Sequence, residues 1–422
     1  MLAKFHVILV GQHFYPMHIA IGQSQLSDFQ YDVVLVGGCG HVGLPLGLAF
    51  AKVGMRVALY DISQDAVASV NRAEMPFVER DAAEILEKFV GNGISATTDP
   101  LVVSQAKNVI IIIGTPVDEH QNPEPHKVVD AVRSLARFFK PGQLLIMRST
   151  IYPGTTALVE KMLAEESVSI PVAFCPERIA EGKALQELFE LPQLVSARST
   201  AAFDQAANLF LTLTKKVIRL EPEEAELAKL FTNTWRYIKF ATANQLFMMA
   251  ENFGLSYETI RSALSDDYPR AADLPKAGFA AGPCLLKDTL QLAAFNNNDF
   301  ILGNAAINVN EGLPLFIVSK LTKTYKLQEM TVGILGMAFK GESDDTRSSL
   351  AYKLKRILRY QAKEVLTTDP YVKQDPALVS LNQVLADSDL LIIGTPHQAY
   401  KDIQVGSPIV DIWGLFGANS GI

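Results

Sequence analysis

An α/β chain with two Rossmann-like, doubly wound domains joined by a central helical region on one long helix is the fold class this sequence predicts. Three observations predict it. Short β-branched runs alternate with helical patterns at both ends of the chain. The strand–turn–helix pattern that opens at Tyr31 returns at Met330. Between them, Glu223 to Phe253 keeps an apolar period close to 3.6, through Leu227, Leu230, Phe231, Trp235, Ile238, Ala241, Leu246 and Met249. The expected division is an N-terminal extension (1–30), a dinucleotide-binding domain (31–215), a central helical domain (216–318) and a second Rossmann-like domain (319–422).

Composition bounds the function. The chain has 422 residues, enough for two or three domains. A net charge of −7 argues against nucleic-acid binding, which needs a basic face. Cys39, Cys175 and Cys284 are odd in number and far apart, so neither a disulfide framework nor a metal site is expected. A reducing, cytoplasmic setting is expected. Apolar runs such as Val109 to Ile113 are far shorter than the ~20 residues of a spanning helix, and Phe5 to Gly11 lacks a cleavage site, so no membrane association is expected.

Residues 1–30 show no strong period and fit an extra strand, an arm or a tail. Tyr31 to Val36 reads as a buried parallel strand. It is followed by GGCGHVG, in which Gly38, Gly40 and Gly43 have the G-x-G-x-x-G spacing, and by a helix from Val42. Glycines there permit the tight turn, the approach of backbone to a pyrophosphate and close helix–strand packing. The strand Arg56 to Tyr60 ends in Asp61, an acceptor for ribose hydroxyls, with no arginine next to it for a 2′-phosphate. NAD is therefore the expected cofactor, held at Gly38, Gly40, His41, Val42, Gly43 and Asp61.

Val109 to Ile113 and Leu144 to Met147 continue the alternation, and the loops after them carry Thr115 and Thr150. Loops at the C-terminal ends of parallel strands are where ligands sit. Thr150 fits the cofactor edge or, equally well, a helix N-cap or turn hydroxyl. After Val172 to Phe174, Glu177 and Glu181 are spaced four apart, which on a helical turn gives one acidic face or a commonplace surface pair.

On the long helix Lys229 and Asn233 are also i, i+4; they fit a solvated face or a substrate-facing wall. Gly278 to Thr289 (GFAAGPCLLKDT) then places Cys284 at the start of a helix, with Lys287 and Asp288 one turn on. A helix N-terminus and a nearby cation favour a thiolate. The other reading is a small buried thiol in a glycine-rich loop. In the second half, Met330 to Leu335, Glu364 to Thr368, Leu390 to Ile393 and Ile409 to Ile412 read as strands, and Lys340 and Arg347 follow the first of them. Those two cations suit a phosphate or a solvated basic loop.

The ordered set GCGHVGLP, STIYPGTT, PERIAEG, EAELAKLFTN, GPCLLKD and GMAFKGESDDTR resembles the UDP-glucose/GDP-mannose dehydrogenase family from about Tyr31 to the C-terminus. The resemblance implies a homodimer formed through the long helix, NAD as cofactor and a UDP-sugar as substrate. It implies Cys284 as the nucleophile that forms a thiohemiacetal and then a thioester at the sugar C6. Lys229 and Asn233 match the oxyanion pair, Glu177 and Thr150 residues near the reacting water, and Asp288 the carboxylate beside the thiol. Glu181 matches a further acidic position at the cofactor. Lys340, Arg347, Gly282 and Arg270 match sugar-nucleotide contacts, with Glu177, Arg178, Lys229 and Asn233 also facing the sugar.

PERIAEGKAL, with Arg178 after Glu177, is more similar to members acting on UDP-N-acetylhexosamines than to UDP-glucose members. UDP-glucose is the alternative substrate. A two-electron hydroxyacid-type NAD dehydrogenase and a non-catalytic binding protein are the alternative functions. The chain departs from the family in GFAAG, which has fewer glycines and implies a stiffer approach to the thiol, and in Gly37 and Gly114.

Overall fold

In the computed structural model, which describes residues 7–10, 13–16, 29–115, 117–417 and 421–422, every strand expected from the sequence forms, its ends displaced by at most a few residues. The chain divides into two compact units, residues 1–231 and 232–422, and the division falls inside the long helix Pro222–Asn252.

The first unit is a single ten-stranded sheet. In chain order its strands are β1 (Val7–Val10), β2 (His13–Pro16), β3 (Tyr31–Val36), β4 (Val57–Tyr60), β5 (Ile94–Thr97), β6 (Ala106–Ile111), β7 (Leu144–Met147), β8 (Val172–Phe174), β9 (Gln193–Ser196) and β10 (Lys216–Leu220). Their spatial order is β2-β1-β10-β9-β8-β7-β6-β3-β4-β5. Pairing is parallel except at β1–β2 and β8–β9. The order reverses at β3, and the ends of β3 and β6 meet there, the position at which an open parallel sheet binds ligands. Val33, Val34 and Leu35 are fully buried, which is why this strand is a continuous apolar run rather than an alternating one. Two strands of the N-terminal extension extend the sheet beyond β10; the remainder of residues 1–28 lies outside the described residues.

The second unit carries a four-stranded parallel sheet of β11 (Thr331–Leu335), β12 (Glu364–Thr368), β13 (Leu390–Ile393) and β14 (Ile409–Val410) in the order β12-β11-β13-β14. Its core joins Val332, Ile334 and Ile392 to Leu313, Ile317 and Leu321 of the helix Ile301–Thr324. That helix has the length and mean hydropathy, 1.3, to cross a membrane. Gly303, Ala306, Asn310, Leu313, Ile317 and Leu321 on it are buried at helical spacing.

The long helix departs from the single apolar face its periodicity predicts. Leu230, Tyr237, Ala241, Ala243 and Phe247 are buried, whereas Phe231, Trp235, Leu246, Met249 and Phe253 are exposed. Along the helix and one residue past its end the exposed residues are spaced four, eleven, three and four apart, each close to a whole number of helical turns, so they form a second stripe.

Candidate active site

The glycine turn after β3 is built by steric necessity. Gly37 has φ +78°, and a Cβ on it would lie 2.0 Å from the Ile112 carbonyl oxygen. A Cβ on Gly38 would meet Leu35 O at 2.7 Å and Leu59 Cα at 2.9 Å, and one on Gly43 would meet Gly37 O at 2.5 Å. Gly37, noted as a departure, is thus required by its own turn. A Cβ on Gly40 would meet nothing nearer than the Gly37 carbonyl oxygen at 3.7 Å, an ordinary contact, so this residue alone of the four would take one without a clash. The helix Gly43–Lys52 follows with no side-chain cap at Val42; Leu44 N–H is bonded to the Gly40 carbonyl at 3.0 Å and Pro45 has no N–H, so what the helix start offers an anion is chiefly the positive end of its dipole. His41 stacks on Phe77, 4.0 Å between ring centroids.

Asp61, at the end of β4, accepts the Cys39 N–H at 3.1 Å and the Ser63 N–H at 3.0 Å, so its carboxylate is fixed beside the turn. The loops after β6 and β7 are tied together. The Thr115 hydroxyl donates to the Thr150 carbonyl at 2.7 Å, and Ser149 Oγ bonds both N–H and C=O of Ile113 at 2.8 Å. Thr150 is not a helix cap: the next helix, Thr155–Glu165, starts from Gly154 in the left-handed conformation.

A carboxylate that the sequence reading passed over holds that helix. Glu226, fully buried on the long helix three residues before Lys229, accepts the N–H groups of Gly154 (2.6 Å) and Thr156 (2.8 Å) and the Thr156 hydroxyl (2.6 Å). Burial pushes its pKa up against those hydrogen bonds. EAELAKL holds two glutamates and a lysine, so its composition does not single out Glu226; the donors that a buried carboxylate needs come from residues seventy positions away.

Glu177 and Glu181 do not share a helical face. Residues 175–180 are irregular, and Glu181 is half-buried in the turn before the helix Ala184–Glu190. Glu177 instead pairs with Arg148, the most buried cation in this unit at 1 % exposure, and its other oxygen accepts the Arg178 N–H at 2.7 Å and the Ile179 N–H at 2.9 Å. Arg148 also donates to Cys175 O and Gln193 Oε1, both at 3.0 Å, and lies over the Phe210 ring. The ion pair with Arg148 and the backbone donors of Arg178 and Ile179 fix Glu177 in this irregular segment, in place of the helical turn that the i, i+4 spacing assumes. The Arg178 guanidinium is half-buried and donates to the Pro192 carbonyl; burial lowers its pKa.

In the second unit, Cys284 is exposed and stands at the N-cap position of the helix Leu285–Phe295, with no cap hydrogen bond from its side chain. The buried-thiol reading therefore does not hold for it. It does hold for Cys39 and Cys175, whose thiols burial pushes up to about 12, with the Asp61 charge adding to the effect at Cys39. One turn beyond Cys284, Asp288 is completely buried. Its Oδ2 accepts from Asn233 Nδ2 at 2.5 Å, and its Oδ1 faces Lys287 Nζ at 2.6 Å. Lys229, 8 % exposed, lies one helical turn before Asn233 on the same helix.

The approach to the thiol keeps glycine only where contact demands it. A Cβ on Gly278 (φ +150°) would lie 2.4 Å from the Trp413 ring, and one on Gly282 (φ +102°) would lie 2.7 Å from the Phe339 ring. Arg270 is exposed, with its guanidinium 4.6 Å from the Tyr268 ring centroid and its Nε donating to Tyr268 Oη at 2.6 Å.

The turn after β11 repeats the logic of the first. Asp369, at the end of β12 as Asp61 is at the end of β4, accepts the N–H groups of Met337 (2.7 Å) and Ala338 (3.0 Å). His397 Nδ1 accepts the Glu342 N–H at 3.0 Å, so Nε2 carries the proton and donates to Asp369 at 3.1 Å. Lys340 is half-buried in this loop, and the Arg347 guanidinium grips Asp345.

Burial raises the Asp369 pKa, but the hydrogen bond from His397 and the backbone donors outweigh it and hold the carboxyl at about 2. A folded value below the unfolded one, about 3.9, stabilises the fold above pH 4, and that stability is lost as the pH falls towards 2. Asp369→Asn is expected to lower unfolding free energy at pH 7 by roughly 2 kcal/mol. In urea titrations the gap from the unsubstituted protein should close between pH 4 and pH 2; a pH-independent gap would refute the linkage.

Compared with known proteins, residues 32–214 match the NAD binding domain of the UDP-glucose/GDP-mannose dehydrogenase family, 223–312 its central domain and 333–417 its UDP binding domain. A UDP-N-acetyl-D-mannosamine dehydrogenase of Pyrococcus horikoshii is 31% identical over 384 residues, 88% of this chain and 91% of that protein. The chain belongs to the UDP-glucose/GDP-mannose dehydrogenase family. The corresponding enzyme of Escherichia coli is 28% identical over 406 residues, 89% of this chain and 96% of its own length.

Among solved structures, the P. horikoshii UDP-D-ManNAc dehydrogenase superposes with a TM-score of 0.84 at 28% identity, covering 92% of this chain and 96% of that one. A UDP-glucose dehydrogenase of Pyrobaculum islandicum gives 0.86 at 25% identity, covering 94% and 97%. As a member of this family the protein is an NAD-dependent UDP-sugar dehydrogenase rather than a hydroxyacid-type enzyme. The unclashed backbone at Gly40, the helix start at Gly43 and the fixed carboxylate of Asp61 fit a dinucleotide with free ribose hydroxyls.

Proposed function

We propose that this enzyme oxidises the C6 hydroxyl of UDP-N-acetylmannosamine to the carboxylate through a covalent intermediate on Cys284. The observation that carries the reading is that Cys284 is the one exposed cysteine, at a helix N-terminus and one turn from a buried carboxylate. NAD, when bound, accepts the hydride in each of two oxidations.

Cys284 adds to the C6 aldehyde left by the first oxidation and forms a thiohemiacetal, the second oxidation converts this to a thioester, and water releases the acid and the thiol. The Lys229 ammonium and the Asn233 amide stabilise the oxyanion of these tetrahedral species. An amide nitrogen has two donors, so Asn233 can hold Asp288 with one and serve the oxyanion with the other. Glu177 and Thr150 orient the hydrolytic water. Lys340, Arg347, Gly282 and Arg270 take the UDP, and Arg178, held at Pro192, shapes the sugar end. Gly38, Gly40, His41, Val42, Gly43, Asp61, Thr115 and Glu181 bind NAD.

Residues 31–215 serve as the NAD domain, 216–318 as the central domain and 319–422 as the sugar-nucleotide domain. The exposed stripe Phe231, Trp235, Leu246, Met249 and Phe253 supports a homodimer through the long helix. The setting we infer is cytoplasmic, supplying a uronic acid for polysaccharide synthesis.

The substrate assignment rests on the named relatives and on PERIAEG, and it is tested by kcat/KM on UDP-N-acetylmannosamine, UDP-N-acetylglucosamine, UDP-glucose and GDP-mannose. We expect UDP-N-acetylmannosamine to lead UDP-glucose by tenfold or more, the discrimination that satisfied polar contacts provide. A lead for UDP-glucose would reassign the substrate.

A further inference from the structure

The loop that presents Cys284 is strapped to the long helix at both ends by asparagine amides. Downstream of the thiol, Asn233 holds Asp288. Upstream, Asn244 holds Gly278: its Oδ1 accepts the Gly278 N–H at 2.9 Å and its Nδ2 donates to the Gly278 carbonyl at 3.0 Å. The second Nδ2 hydrogen goes to Asn310 Oδ1 at 2.9 Å, and Asn310 Nδ2 donates to the Tyr237 carbonyl at 3.1 Å.

Asn244 and Asn310 are both fully buried. Eleven residues make almost exactly three helical turns, so Asn233 and Asn244 face the same way, about 16 Å apart along the axis. The segment from Gly278 to Asp288 is thus suspended between two fixed points of one rigid helix, with Cys284 in the span.

The chemistry of the strap is specific. A carboxamide is the side chain that can accept from an N–H and donate to a C=O of the same residue while keeping one donor for a neighbour. Because Gly278 presents one group of each kind, the orientation of the Asn244 amide is determined rather than arbitrary. The Trp413 ring fills the space that a Cβ on Gly278 would take, and Trp413 Nε1 donates to the Ile393 carbonyl at 3.2 Å, so the loop is backed on that side by a held ring.

We propose that Asn244, locked by Asn310, is a positioning residue for the reaction: it sets the register of the Gly278–Cys284 loop and so places the thiol. The proposal rests on the reading of Cys284 as the nucleophile. It goes beyond that reading in assigning function to an amide that touches neither thiol nor substrate.

The test is Asn244→Ala and Asn244→Asp in the full-length protein, with three readouts: kcat, the Kd for UDP-N-acetylmannosamine by calorimetry, and the rate of Cys284 alkylation by iodoacetamide. Asn244→Asp keeps the acceptor for Gly278 N–H and loses both donors, so it decides the matter if the alanine variant does not fold. We expect kcat to fall ten- to a hundredfold, Kd to change by less than threefold, and alkylation to change by fivefold or more. Wild-type kcat, or lowered kcat with wild-type alkylation, would overturn the proposal. Cys284→Ser measured alongside separates the two failures: if it turns over normally the nucleophile reading falls, whereas alkylation of Asn244→Ala still reports whether the strap places the thiol.

Discussion

Cys284→Ser is expected to lower kcat for the full oxidation by on the order of a thousandfold or more while leaving UDP-sugar affinity within a few-fold of the unsubstituted protein. The argument is one of elimination and position. Cys39 and Cys175 are buried, with pKa values pushed up to about 12, so neither supplies a thiolate near neutral pH. Cys284 is exposed, and the N–H groups of the helix Leu285–Phe295 lie just after it. A serine hydroxyl at the same place is a far weaker nucleophile and gives an ester instead of a thioester. Calorimetry reports the binding and NADH absorbance the turnover. Turnover close to that of the unsubstituted protein would remove the covalent step from the account.

Asn233→Ala is expected to cost both rate and stability, in separable amounts. It removes an oxyanion donor, which is worth about a hundred- to a thousandfold in kcat. It also leaves the Oδ2 of Asp288, a carboxylate with no solvent exposure, without its amide partner. An unmet buried acceptor costs roughly 1–3 kcal/mol, more when charged, so the melting temperature should fall as well. Asn233→Asp should be worse on both counts, because it sets a second carboxylate against the first. A variant that melts earlier but turns over normally would leave Asn233 only the structural half of this role.

Much of this was legible in the sequence because local rules governed it. The glycine turn, β3 and β4 with Asp61, and the helix starting after Cys284 follow from strand runs, glycine spacing and turn chemistry within a few residues of one another. Misreading began where a side chain's partner is remote. Spacing alone offers Glu177 either an acidic face shared with Glu181 or a place in a surface pair, whereas its actual partner, Arg148, comes from the end of another strand. The fully satisfied amide of Asn244, its bond to Asn310, and the cap that Glu226 places on a helix seventy residues earlier are likewise products of tertiary packing. The apolar period of the long helix was read correctly as helical. Period alone does not say that Leu230 and Ala241 face a core while Trp235 and Met249 face outward.

The central claim is that one thiol carries the sugar through two oxidations, and the most direct measurement is the NADH formed per UDP-N-acetylmannosamine consumed at completion. Two NADH per sugar, with the uronic acid as product and no free aldehyde, is the predicted result. One NADH per sugar, or release of the aldehyde as the end product, would contradict it.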